Sequence, residues 1–109
     1  MNDAELTECE ETLAAAELIV DDLISRLPDK LRLEALRIGY ELRMCHPDDP
    51  DLLGEYVRLA DLIILYLDAI RSRCETDGFS YERELERTYL HEFGHHLGLG
   101  EAAVERLGV

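Results

Sequence analysis

Three residues near the carboxyl end of the chain have the types and spacing for metal chemistry: His91, Glu92 and His95, in the pattern HExxH. Helix positions four apart share one face, so both imidazoles could chelate a single ion. Imidazole nitrogens suit zinc, which lowers the pKa of a bound water towards about 7. Glu92 could then act as the general base when that water attacks a carbonyl group. The alternative interpretation is a surface histidine pair on an amphipathic helix.

The residues that follow the motif offer a third metal ligand. Gly98 lies three residues after His95, and Glu101 lies six residues after it. A glycine there permits a sharp turn that could bring Glu101 back to the ion. Glu101 could instead stabilise the N-terminus of a last helix, and Glu105, one turn further on, is the reserve ligand candidate. We expect His96 to lie beside the ligands or to be exposed, because it points about 100° away from His95.

Several neighbouring residues have weaker functional interpretations. Tyr66 and Tyr89 could stabilise an oxyanion if they faced the metal, but packing is the favoured role. Gly94 is costly inside a helix, which a close approach by a strand or by a substrate would explain. His46, in a loop, is interpreted as a surface residue. The remaining apolar residues of the motif segment are expected to face the core: Leu90, Phe93 and Leu97.

The amino-terminal half predicts one clear helix and one ambiguous segment. Apolar residues at helical spacing predict a first helix from about Leu6 to Leu27, which Pro28 ends. From Leu36 to Arg43 the apolar residues alternate and favour a strand, although a helix continuing from Leu31 also fits. A proline- and aspartate-rich loop follows at 45–53.

The carboxyl-terminal half predicts the elements that must position the motif. Branched and aromatic residues favour a strand from Leu62 to Ile70, and Gly54 or Tyr56 could start a hairpin with it. The motif helix is predicted from about Tyr81 to Leu97, with Ser80 as its N-cap and Gly98 as a left-handed C-cap. A last short helix is expected from Glu101 to Leu107, closed by Gly108.

Composition limits the class of protein. A chain of 109 residues with 47% apolar residues fits one globular domain over residues 1–109. The net charge of −14 argues against partners such as nucleic acid or an anionic membrane. The acidic residues are interpreted as a solvated surface, with attraction of cations or basic substrates as the alternative.

Other sequence features favour a cytoplasmic protein. The first residues lack the pattern of an export signal. The longest apolar run, Leu59 to Ile70, is too short to span a bilayer and contains two aspartates. Three cysteines without CxxC spacing predict free thiols in a reducing compartment.

The motif-bearing stretch resembles the small bacterial zincins that are possible zinc metallopeptidases. The resemblance rests on the strings IILYLDAI, RTYLHEFGHHLGL and EAAVERLGV, is specific over 86–108, and extends loosely from about Leu13. It implies a minimal zincin-like α+β fold, in which helices pack on a small mixed β-sheet and the HExxH active-site helix runs beneath it. It also implies that Leu62 to Ile70 lies near the cleft and can pair with an extended peptide.

The resemblance implies a zinc metallopeptidase with His91, His95 and Glu101 as Zn²⁺ ligands, Glu92 as the catalytic base and a peptide or protein as substrate. The sequence departs from the metzincin pattern in two ways. Metzincins have His or Asp at the position of Glu101, and they have a methionine turn beyond it, whereas the methionines here are Met1 and Met44. With eight residues after Glu101, we expect few substrate contacts, or a second copy or another protein to complete the cleft. The alternatives are a non-catalytic or regulatory metal-binding protein and an acidic helical interaction module.

Overall fold

The computed structural model describes residues 2–106. Within this range the chain forms five α-helices and three β-strands, with one short 3-10 turn at Arg58–Ala60. Their bounds are α1 Asp3–Ser25, α2 Asp29–Arg37, β1 Gly39–Arg43, β2 Gly54–Val57, β3 Leu62–Tyr66, α3 Leu67–Asp77, α4 Tyr81–His96 and α5 Glu101–Arg106. The helices pack on a small mixed sheet, so the predicted α+β fold is confirmed.

Helix α1 confirms the predicted first helix and begins at a capping box. The Asn2 side-chain oxygen accepts the Glu5 N–H at 2.9 Å, and the Glu5 carboxylate accepts the Asn2 N–H at 3.4 Å. The helix ends at Ser25, shortly before Pro28, which cannot continue the backbone hydrogen bonding. The buried residues all lie in its second half and face the core: Ala16, Val20, Leu23 and Ile24.

The segment after Pro28 forms first a helix and then a strand, so each of the two interpretations is correct for part of it. The helical pattern forms α2, and the alternating pattern forms β1. The strand predicted from Leu36 therefore begins later, at Gly39, because α2 continues through Leu36. Within β1 the burial alternates between exposed and half-buried residues, as expected for a strand with one covered face.

The strand predicted over Leu62 to Ile70 is wrong in its second half. Strand β3 ends at Tyr66, and Leu67 begins helix α3. Leu67 and Ile70 are both buried, three positions apart on the same helical face. A short apolar run does not distinguish a buried strand from a buried helical turn, so the whole run resembled one strand.

Strand β3 is the central strand of the sheet, whose order is β1-β3-β2. It pairs in parallel with β1 (Gly39 opposite Leu62) and antiparallel with β2 (Gly54 opposite Leu65). Both edges of β3 are therefore occupied, and the expectation that this segment pairs with a peptide is wrong. The outer strands within residues 2–106 are β1 and β2.

Helix α4 confirms the predicted motif helix and its cap, since the Ser80 hydroxyl accepts the Arg83 N–H at 3.1 Å. One face of α4 carries Leu85, Tyr89 and Phe93, which are buried in the core. The helix packs against α1, α3, β2 and β3, so its HExxH turns are held by both layers of the fold.

No helix within residues 2–106 is both long and apolar enough to cross a membrane. The 23-residue helix α1 is the longest of the described helices; most of its first half is exposed, and that half contains five acidic residues. The three cysteines, Cys9, Cys45 and Cys74, are not joined by a disulfide.

Candidate metal centre

His91 and His95 lie one turn apart on the face of α4 that borders a cavity. Their ring centroids are 4.9 Å apart, and the ring planes are inclined at 77°. The two side chains keep 25% and 23% of their surface exposed. Both rings are thus accessible from the same side, as their spacing on a helix predicts.

The turn after α4 brings Glu101 back to the two histidines. Gly98 adopts φ +89°, the left-handed conformation predicted for it, and its N–H donates to the His95 carbonyl at 3.0 Å. Helix α5 then begins at Glu101. The Glu101 Oε1 atom lies 2.6 Å from His95 Nε2 and 3.2 Å from His91 Nε2.

A backbone carbonyl fixes the orientation of the His95 ring. The His95 Nδ1 atom lies 2.9 Å from the Leu99 carbonyl oxygen, so Nδ1 carries the proton and donates it. The Nε2 atom faces Glu101 Oε1 at 2.6 Å and donates to it as an N–H group; on losing this proton, Nε2 would be the ring nitrogen that binds a metal ion. Burial lowers the pKa of His95, but the hydrogen bonds to Leu99 and Glu101 outweigh it and raise the pKa overall.

The donor set fits a zinc ion. One ligand atom from each of His91, His95 and Glu101 lies within 4.8 Å of the others. Two imidazole nitrogens and one carboxylate oxygen are donors that zinc accepts, and a three-ligand set leaves a fourth position open. The hydrogen bond with His91 lowers the pKa of Glu101, so this carboxyl is in its ligating, ionised form. Glu105 borders the cavity but does not belong to this group.

Glu92 lies beside the group and is 9% exposed. Its carboxyl borders the same cavity and accepts no hydrogen bond from the residues that the structure describes. Burial raises the pKa of Glu92, and the neighbouring His91 and His95 oppose that shift. A carboxyl with a raised pKa, open to a cavity, is suited to accept and return a proton.

Gly94 gives helix α5 room to approach α4. A Cβ atom at this position would lie 3.0 Å from the Val104 Cγ2 atom, which is tighter than most Cβ contacts in proteins. The expectation of an approach by a strand or a substrate is therefore wrong, because the neighbour is α5. Since α5 also carries Glu101, the missing side chain of Gly94 sets the distance between Glu101 and the histidines.

His96 faces away from the metal candidates, into a polar contact between α2, α4 and β2. Its Nε2 atom lies 2.6 Å from Glu34 Oε1, and its Nδ1 atom lies 2.8 Å from the Tyr56 hydroxyl. The hydrogen bonds from Arg37 and His96 lower the pKa of Glu34 to about 2. His96 joins three elements around the end of α4 and is not part of the ligand group.

The other predicted residues have structural contacts. Tyr66 and Tyr89 are 1% exposed, so each is packed in the protein, and the Tyr66 hydroxyl donates to Glu55 Oε2 at 2.7 Å. His46 packs edge-on against Tyr66, and its Nδ1 accepts backbone N–H groups of its own loop.

Phe93 and Leu90 pack in the core as predicted, whereas Leu97 is 45% exposed and that prediction is wrong. Met44 packs at the edge of the core, and Met1, Leu107 and Gly108 lie outside the described residues.

The cavity in front of the three donors has a volume of about 610 Å³. Its far side is formed by strand β2 with the preceding loop, which contribute Asp49, Asp51 and Glu55. The sequence does not indicate these carboxylates as site residues, because they lie about forty positions from the motif and only the tertiary fold brings them there. The hairpin signal at Gly54 was the one available indication that this segment approaches β3.

Comparison with models of known protein families identifies a family to which this chain is related. The sequence model described as zincin-like metallopeptidase matches residues 54–109, which is half of the chain. The chain belongs to the zincin-like metallopeptidase family. The match begins at β2 and includes β3, α3, α4 and α5, and thus every donor of the candidate metal centre. Helices α1 and α2 and strand β1 precede the matched region of this zincin-like protein, and no curated protein matches the chain.

Proposed function

We propose that this zincin-like protein is a zinc-dependent peptidase. The observation that carries the proposal is the convergence of His91, His95 and Glu101 around one point, with the buried carboxyl of Glu92 beside them. An accidental HExxH pattern would not require a turn that returns a third donor to within hydrogen-bond distance of both histidines. The open fourth position favours catalysis over a closed structural site.

In this proposal each residue of the group has a distinct task. His91, His95 and Glu101 hold the ion, and Leu99 keeps the His95 ring in the ligating tautomer. When bound, zinc supplies Lewis acidity that polarises a carbonyl group and makes water more acidic. Glu92 accepts the proton of the attacking water and passes it to the amine that leaves as the peptide bond breaks.

The outer strand β2 is the surface along which we expect an extended peptide to bind. Residues 52–56 border the cavity, and β2 has one neighbouring strand, β3, among the described residues. A peptide added to the free edge would gain main-chain hydrogen bonds and place a backbone carbonyl near the metal group. We also propose a cytoplasmic setting, since three unbridged cysteines suit a reducing compartment.

The decisive experiment separates zinc binding from turnover. Zinc content and cleavage of a mixture of short peptides are measured for the native protein and for Glu92→Gln. We expect both proteins to bind one zinc ion, and only the native protein to cleave. The matched control is Glu82→Gln, which neutralises an exposed carboxylate in the first turn of the same helix and should change neither measurement.

A non-catalytic metal protein is the competing outcome of the same experiment. It would bind zinc stoichiometrically, lose the ion in His91→Ala or His95→Ala, and cleave no peptide. An accidental motif would bind no zinc in any variant. The partial exposure of the two histidine side chains, about a quarter of each, favours the peptidase proposal, since ligands of a purely structural zinc are normally enclosed.

A further inference from the structure

The cavity of the candidate metal centre is strongly acidic. Eight carboxyl-bearing residues and two arginines border it within the described part of the chain. The acidic residues are Asp49, Asp51, Glu55, Asp77, Glu84, Glu92, Glu101 and Glu105. Even a bound divalent cation would leave an excess of negative charge, so the cavity attracts cationic groups and repels anionic ones.

The two arginines offset carboxylates at one end of the cavity. The Arg73 Nε atom lies 3.3 Å from Asp77 Oδ2, and the Arg87 Nη1 atom lies 3.4 Å from Glu84 Oε2. Each arginine is therefore neutralised by the carboxylate with which it forms an ion pair. The excess negative charge remains at the opposite side, formed by β2 and the loop before it.

Glu55 is the best-placed carboxylate on that opposite side. It stands on β2, keeps 36% of its side-chain surface exposed, and is oriented by the Tyr66 hydroxyl at 2.7 Å. Tyrosine is a neutral donor, so this hydrogen bond orients Glu55 without cancelling its charge; the same Oε2 atom also lies 3.8 Å from His46 Nε2. Glu55 also borders the same cavity as Glu92 and the three donor residues.

Glu92 provides a second observation that points to a ligand in the cavity. Its side chain is nine-tenths buried, borders the cavity and has no hydrogen-bond partner among residues 2–106. Its oxygens are not among the buried unpartnered atoms, so they are open to the cavity, and a molecule bound there can supply the contact.

Building on the peptidase activity proposed above, we infer that the cavity selects peptides that carry a cationic group close to the bond to be cleaved, with Glu55 as the recognising residue. Two sources could supply that group: a lysine or arginine side chain, or the N-terminal ammonium of the peptide. Each would donate charge-assisted hydrogen bonds to Glu55. One such bond is worth at least about a tenfold preference over a neutral analogue.

The test uses zinc-loaded protein and matched peptides. A cleaved peptide is prepared with lysine, norleucine or glutamate beside the scissile bond, each with a free and with an acetylated N-terminus. We expect kcat/KM to fall about tenfold when the recognised cation is removed. Loss with norleucine identifies a side chain, and loss on acetylation identifies the N-terminal ammonium. Equal rates for all six peptides would overturn the inference.

A binding measurement separates failure of this inference from failure of the peptidase proposal. Lysine, norleucine and glutamate peptides, each with a free and with an acetylated N-terminus and a fluorescent label at the carboxyl end, are titrated with the zinc-loaded Glu92→Gln variant, whose affinity does not depend on turnover. Tighter binding of the peptides that carry the recognised cation supports the inference even if the native protein cleaves nothing. Equal binding of all six peptides refutes it whether or not cleavage occurs.

Two variants test whether Glu55 is the recognising residue. Glu55→Gln keeps an acceptor for the Tyr66 hydroxyl and removes the charge, so we expect unchanged zinc content and loss of most of the cationic preference. Asp48→Asn is the matched control because it changes the net charge by the same amount. Asp48 is exposed in the loop before β2 and does not border the cavity. Equal effects of the two variants would mean that overall charge, and not Glu55, sets the preference.

Discussion

Replacing Gly94 by alanine tests whether the packing of α5 on α4 positions Glu101. The new Cβ atom would lie 3.0 Å from Val104 Cγ2, whereas non-bonded carbon atoms pack at about 3.5–4.0 Å. Val104 and the short helix that carries it would have to give by a few tenths of an ångström. Zinc–ligand distances vary by about 0.2 Å, so a shift of this size is large enough to weaken the site.

Two opposing terms decide the stability of this variant. Alanine is favoured over glycine inside a helix by about 1 kcal/mol, and overpacking costs about 1–3 kcal/mol. Helix α5 spans only six residues and can yield, which keeps the packing cost at the lower end. We therefore expect the free energy of unfolding of the metal-free variant to stay within about 1 kcal/mol of the native value. Zinc affinity should fall about tenfold or more, equivalent to about 1.4 kcal/mol.

The measurement is a zinc competition titration against a chelating dye, with urea unfolding of the metal-free proteins in parallel. Val104→Ala provides the matched second variant, because it removes the methyl groups that meet the new Cβ atom. In the double variant we expect zinc affinity to recover most of the loss, a coupling that a double-mutant cycle measures directly. Native zinc affinity in Gly94→Ala, or an equal loss with and without Val104→Ala, would refute the reasoning.

Two further predictions concern the ligand set and the response to alkaline pH. Glu101→Ala should weaken zinc binding strongly, whereas Glu105→Ala, which removes a carboxylate on the same helix outside the donor group, should leave zinc affinity close to native in the same titration. Burial raises the pKa of Tyr89 to about 12, whereas the unfolded chain loses this proton at about pH 10. The free energy of unfolding should therefore fall between about pH 10 and 12, by up to about 1.4 kcal/mol per pH unit. Urea unfolding of Tyr89→Phe should show a smaller decline over that range, and an identical decline would mean that Tyr89 ionises equally in both states.

The local parts of the metal centre could be predicted from the sequence. The spacing of His91 and His95, the cap at Ser80 and the left-handed turn at Gly98 each depend on neighbouring residues alone, and the structure contains all three features. The convergence of Glu101 followed from the same local geometry. Its role as a metal ligand, like that of Glu92 as the base, stays a prediction.

The predictions that were wrong concern elements whose type and position depend on tertiary packing. The apolar run after Leu62 is divided between a strand that is buried on both faces and the buried first turn of a helix, and so short an apolar run has no periodicity that separates the two. The position of β3 between two other strands depends on pairings over distant parts of the sequence. For the same reason the sequence did not indicate that Glu55 would stand across the cavity from the motif helix.

All three donors of the candidate metal centre come from a single stretch of eleven residues, His91 to Glu101. Closing so short a loop costs little conformational entropy, so an unfolded chain retains some ability to chelate the ion. A ligand that also binds the unfolded state stabilises the native state less than its native affinity suggests. Zinc should therefore organise the active region locally while contributing modestly to global stability, and the centre can assemble before the sheet is complete.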